Sequence, residues 1–145
     1  MKALKERMII MKGAGEMASG IACRLHRSGF RRLLMLETSF PLAVRREVSF
    51  CEAVHDGQKA VEGIEAVQIE DGAGLAQTWE QGMIAVMVDP KGDTVRRLQP
   101  DILIDAPLPS AIWHSHYRCS AGDRPRSRLY RRHRLPCGGG NQPGA

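Results

Sequence analysis

Met8-Ile9-Ile10-Met11-Lys12-Gly13-Ala14-Gly15-Glu16-Met17-Ala18-Ser19-Gly20 decides the fold. The compact apolar run Met8 to Met11, bounded by charge and then by Gly13, is the pattern of a strand buried in a parallel sheet. The period then changes. Met17, Ile21, Ala22 and Leu25 recur at helical spacing, Arg24, His26 and Arg27 take the other face, and Gly29 fits a helix stop. Between strand and helix stands G-x-G-x-x-A, the turn that cradles a dinucleotide. Gly13 permits the tight turn, Gly15 lets a diphosphate approach the backbone, and Ala18 keeps the helix close to the sheet. A helix beginning near Glu16 offers unpaired N–H groups and the positive end of its dipole to the phosphates. The expected cofactor-binding residues are therefore Gly13, Ala14, Gly15, Glu16, Met17 and Ala18, and the expected cofactor is NAD or NADP.

Working outward, Leu33-Leu34-Met35-Leu36 reads as the next strand, ending at Glu37. Residues 65–69 alternate as a strand, 73–81 suit a short helix, 84–88 are strongly strand-like up to Asp89-Pro90, and 94–98 suit a helical turn. Ile102-Leu103-Ile104 is expected to be a final buried strand ending at Asp105. Residues 41–59 admit two readings: a helix carrying Val44, Val48 and Ala53, or an excursion lying over the binding edge. Strands separated by helical segments imply βαβ crossovers, so the fold class is a Rossmann-like α/β open parallel sheet flanked by helices. The domain is assigned to residues 1–106, incomplete as such a domain, with 107–145 as an irregular or disordered tail.

Glu37 lies 22 residues beyond Gly15, where a strand-end carboxylate would accept from ribose hydroxyls and favour NAD over NADP. A solvated strand-end carboxylate is the competing reading, and Arg45 and Arg46 complicate the preference. Asp89 and Asp105 each follow an apolar strand, so both are candidates to line the ligand crevice; Asp89 equally suits the start of a turn. Val44-Arg45-Arg46-Glu47 reads as an anion contact or as a solvated basic turn. His26 and His55 are expected on the surface or on a helix face. No Ser/His/Asp or Cys/His constellation marks a catalytic site, so whether the protein is an enzyme stays open.

The net charge of +5 points at first to an acidic partner. Its location removes that inference. Residues 1–105 hold 14 Lys+Arg against 15 Asp+Glu (14 − 15 = −1), whereas residues 106–145 hold 7 Arg and one acid, Asp123 (7 − 1 = +6). The basic excess sits wholly in the tail, where aromatics are sparse and helical periodicity is missing, so nucleic-acid binding through Arg118 to Arg134 ranks last. Cys23, Cys51, Cys119 and Cys137 show no CxxC pair or ligand spacing, so no metal is expected and reduced thiols are. No signal peptide or membrane-length apolar run is visible; no membrane partner and a cytoplasmic location are expected.

Several segments together resemble the YqeB-type accessory proteins of selenium-dependent molybdenum hydroxylases. They are Ile9 to Phe30, Glu37, Ala43-Val44-Arg45-Arg46, Phe50-Cys51-Glu52-Ala53-Val54, Val88-Asp89-Pro90 and Leu98 to Ala106. The resemblance implies a Rossmann-type NAD(P) site and a maturation role, with a molybdenum hydroxylase or its cofactor-insertion machinery as partner. An NAD-dependent oxidoreductase fragment is the enzymatic alternative, weakened by the lack of a proton donor. The family continues past Asp105-Ala106 with A-K-R-N and then G-P-G…T-A-G, which this chain lacks. Codons compatible with His114 to Gly144, read one base later, can encode a run containing A-P-L-V-I-G-P-G-L-V-Y-T-A-G, and Pro109-Ser110-Ala111-Ile112 in the remaining frame can give A-K-R-N. The expectation is a frameshift near codon 107, which sequencing of the gene tests.

Overall fold

The central pair of strands, β1 (Met8–Lys12) and β2 (Arg32–Glu37), is parallel and in register from Met8 opposite Arg32 to Lys12 opposite Leu36. In this computed structural model residues 3–106 are described. Ile9, Ile10 and Met11 of β1 and Leu33 to Leu36 of β2 are fully buried. Burial of both faces is what an apolar run without alternation dictates, each such side chain contributing about 1.5–3 kcal/mol. α1 (Glu16–Arg27) connects the two strands and packs Ala18, Ala22 and Cys23 onto the sheet. Gly29, at φ +100°, supplies the left-handed turn that ends it.

The sheet continues through β3 (Gln58–Val61), β4 (Ile64–Ile69), β5 (Ile84–Val88) and β6 (Ile102–Asp105), in the spatial order β3-β4-β5-β2-β1-β6. β1, β2, β4, β5 and β6 run parallel where they pair, as expected. β3 does not: it pairs antiparallel with β4, so the sheet is mixed. The hairpin turns at Glu62-Gly63, both at positive φ (52° and 79°), which is the two-residue geometry matching strand twist. Gln58-Lys59-Ala60-Val61 carries little apolar patterning because it forms an edge, and edges are kept polar.

Short helices cover the faces: α2 (Ala53–Asp56), α3 (Leu75–Glu80) and α4 (Asp93–Leu98). Residues 41–59 settle toward the excursion rather than one helix, with 3-10 turns at Arg46–Val48 and Phe50–Glu52 before α2 and β3. Phe50, Cys51 and Ala53 enter the core, whereas Val44 is 92% exposed.

Two further expectations are corrected. β6 is not buried: Ile102 and Leu103 are exposed, because among the described residues β6 is the last strand of the sheet and pairs with β1 alone. Met17 does not face the core; it is 76% exposed at the start of α1, on the side of the first turn opposite the buried Ala18 and Ser19. The tail, with its Arg-rich stretch, Cys119 and Cys137, lies outside the described residues.

Candidate functional site

The parallel strands deliver their carboxyl ends to one edge. On that edge the sheet order reverses at β1, since the chain goes from β1 to β2 on one side and returns as β6 on the other. Ligands of open α/β sheets collect at such a reversal. The glycine loop leaves β1 there. Gly13 N–H continues the ladder to Leu36 O at 2.7 Å, and its φ of +92° makes the turn that a side chain would resist. Gly15 is the N-cap of α1, and no side chain caps that helix. The first-turn N–H groups of α1 accordingly have no intrahelical acceptor and stand at the positive end of a 12-residue dipole.

Ala14 is the keystone of the loop. Its N–H donates to Glu37 Oε1 at 2.8 Å, while its carbonyl accepts from Cys51 N at 2.8 Å and from Ser19 Oγ at 3.1 Å. Ser19 Oγ in turn accepts from Phe50 N at 2.8 Å. Ser19 and the Phe50–Glu52 turn receive no site role in the sequence reading, only a place in the family resemblance. A serine in a helix is common, and its use shows only when residues 50–51 fold back against the loop.

Glu37 lies where expected, at the end of β2 and beside the loop, yet it is not a solvated carboxylate. It is 7% exposed, and Oε2 accepts from Thr38 N at 2.8 Å. Both oxygens thus brace backbone, each keeping a further lone pair for another donor. Glu16, at the first helical position, accepts from Arg45 N through Oε1 at 2.6 Å and so ties residues 38–45 to the start of α1. The segment bounded by Glu37 and Arg45 turns Pro41 inward and leaves Phe40, Leu42 and Val44 more than 80% exposed. Arg45 and Arg46 are exposed; Arg46 Nε lies 3.8 Å from Glu52 Oε1.

Asp89 is occupied differently. Oδ1 accepts from Gly92 N (2.9 Å) and Asp93 N (3.3 Å), and Oδ2 from Thr94 N (2.7 Å), so the carboxylate caps α4. Burial works to raise its pKa, but the hydrogen bonds from Thr94, Asp93 and Gly92 prevail and hold it below the ordinary value. Asp105 is exposed at the end of β6, level with Lys12 in the register. The edge thus carries the loop, Glu37 and Asp105 together, while Asp89 serves its own turn.

His26 is half-buried; Nε2–H donates to Gly82 O at 2.8 Å, and the Arg31 guanidinium lies 3.2 Å from Nδ1. Burial lowers its pKa, with Arg31 adding to that effect against the Gly82 bond. His55 lies within 3.4 Å of Pro41 O. Burial, and then the nearby Glu37 and Glu52, push the Cys51 thiol up to about 12, which leaves it an unreactive core group. Among the described residues no cluster of His, Cys, Asp and Glu could hold a metal ion, and no helix is long and apolar enough to cross a membrane.

The chain is similar to the Escherichia coli protein named "Uncharacterized protein YqeB", with 39% identity over 102 residues. The match takes in 70% of this chain and spans about a fifth (19%) of the relative's length. No protein-family profile and no solved structure matches the chain.

Proposed function

We propose, from the homology of this segment to YqeB and from the loop it folds around, that the chain is the dinucleotide-binding part of an accessory protein. The observation that carries the reading is the uncapped N-terminus of α1, presented by Gly13-Ala14-Gly15 at the point where the sheet order reverses. A diphosphate there would accept from the backbone amides of Gly15, Glu16 and Met17, with Ala18 packed behind them against the sheet. The ligand is NAD or NADP. Glu37 would take a ribose hydroxyl through its remaining lone pairs, and Arg45 and Arg46 stand near enough in sequence to receive a ribose phosphate instead.

The accessory role rests on the family resemblance: a cytoplasmic protein acting in maturation of a selenium-dependent molybdenum hydroxylase, with that enzyme or its cofactor-insertion machinery as partner. Asp105 and, less directly, Asp89 are its candidate substrate-side groups. We further propose that residues 107–145 derive from a frameshift and carry no part of the site.

Calorimetric titration of the chain with NAD and with NADP tests the reading. Saturable binding that Gly15→Val weakens at least tenfold is expected, because a valine side chain would occupy the phosphate approach. Equal affinity in the variant, or no binding of either dinucleotide, overturns it. Hydride turnover by the bound dinucleotide would move the reading to an oxidoreductase.

A further inference from the structure

A cavity of about 430 Å³ opens at the other end of the sheet, lined by Lys5, Glu6, Arg31, Arg32, Ala76, Trp79 and Glu80. Its volume is that of a small-molecule site. Lys5 and Glu6 precede β1, Arg31 precedes β2, Arg32 opens it and the rest lie on α3, so the cavity sits at the amino ends of the strands. The length of β1 separates it from the glycine loop, about 16 Å at the usual rise of a strand.

The cavity has a fixed aromatic surface. The indole Nε1–H of Trp79 donates to Leu33 O at 2.9 Å, which anchors the half-buried ring through its edge while the residue lines the cavity. Ala76, three residues earlier on the same helix, has too small a side chain to cover that ring. The charges around it do not cancel. Among the described lining residues three cations meet two carboxylates, and Glu6 already accepts from Ala3 N at 3.1 Å within its own turn. The ion pairs drawn among the described residues join Arg27 to Glu62 and Arg46 to Glu52; Lys5, Arg31 and Arg32 are in neither. Arg31 leans on the His26 ring, which orients its guanidinium without neutralising it.

We propose that this cavity is a second ligand site, taking a small flat anion of the aromatic carboxylate class. Its ring would stack on Trp79 and its carboxylate would meet the guanidinium groups of Arg31 and Arg32, which present paired donors matching a carboxylate. Lys5 adds charge without directional demand. A concave volume with a fixed ring suits a small molecule better than a flat protein surface does.

The probe is anthranilate, titrated into the full chain carrying Trp113→Phe so that Trp79 is the sole tryptophan. Saturable quenching of Trp79 is expected, unchanged by excess NAD and by Gly15→Val. Arg31→Gln with Arg32→Gln, both at exposed positions, is expected to weaken binding about tenfold. The uncharged analogue anthranilamide is expected to bind at least tenfold more weakly than anthranilate. Calorimetry repeats the comparison on Trp79→Phe, where affinity is expected to fall and the fold to persist. Absence of saturation, full affinity in the double arginine variant, equal affinity for the amide, or displacement by NAD would each overturn the site.

Discussion

β1 and β6 are neighbours in one sheet, paired from Ile9 opposite Ile102 to Lys12 opposite Asp105, and their sequences are nearly interchangeable in apolar content. Their environments are not. Ile9, Ile10 and Met11 are fully buried, whereas Ile102 is 36% and Leu103 42% exposed. An apolar run sets the existence of a strand; its depth is set by what lies on its far side. β1 has β2 and β6 beside it and α1 against the sheet, while β6 has β1 on one side. The same hydrophobic composition is thus worth more per residue at one position than at the next.

The sharpest way to test the contrast is truncation in the two strands. Ile9→Ala removes buried methyl groups from the main cluster and is expected to cost about 2–5 kcal/mol, read by urea unfolding. Leu103→Ala is expected to cost well under half of that. Equal losses would break the comparison.

The contrast extends beyond the strand ends. After β1 the loop is held by Glu37, Ser19 and Cys51 through Ala14; after β6 the described chain is held by the bond from Ala106 N to Lys12 O at 3.0 Å. Glu37→Ala would leave the N–H groups of Ala14 and Thr38 without acceptors at a buried site, an expected cost of about 1–3 kcal/mol. Glu37→Gln keeps one acceptor oxygen and should lose less; a loss as great as that of alanine would argue against the brace. Gly13→Ala comes next. At φ +92° it should cost about 1–2 kcal/mol, and unchanged stability would show that the turn relaxes.

These differences explain what was legible in the sequence. The strand-loop-helix unit around Gly13 could be read because each of its parts has a local cause: an apolar run, a glycine turn, a helical period. The position of Glu37 was legible by spacing, but its brace was not, since that depends on an amide 23 residues away in the chain. Ser19 and Cys51 were invisible as loop supports for the same reason. β3 was missed because an edge strand carries little apolar signal; β6 was found in place, but its depth was misread because its apolar signal says nothing of its neighbours. Asp89 had a readable alternative role, and the geometry of α4 takes it.

Two groups make the stability of the fold pH-dependent. Asp89 has a depressed folded pKa, so its contribution is present above the ordinary carboxylate value of 3.8 and lost as pH falls through the lower folded one. His26 is also depressed. Its unfolded form takes up a proton first, so stability declines once pH drops below 6.5. Unfolding curves between pH 7 and pH 5 should therefore show a decline that His26→Gln reduces. A decline that persists undiminished in the variant would point to other groups.

The smallest effect expected is at the edge itself. Leu103→Lys places a charge on an exposed edge residue, where stability should change by no more than about 0.5 kcal/mol. The same change should lower any self-association measured by sedimentation, because a charged edge discourages strand pairing between copies. A stability loss approaching that of Ile9→Ala would mean that something covers Leu103 and that β6 is an interior strand after all. Neutral stability with reduced association would instead fix the difference between the two strands as one of neighbours alone.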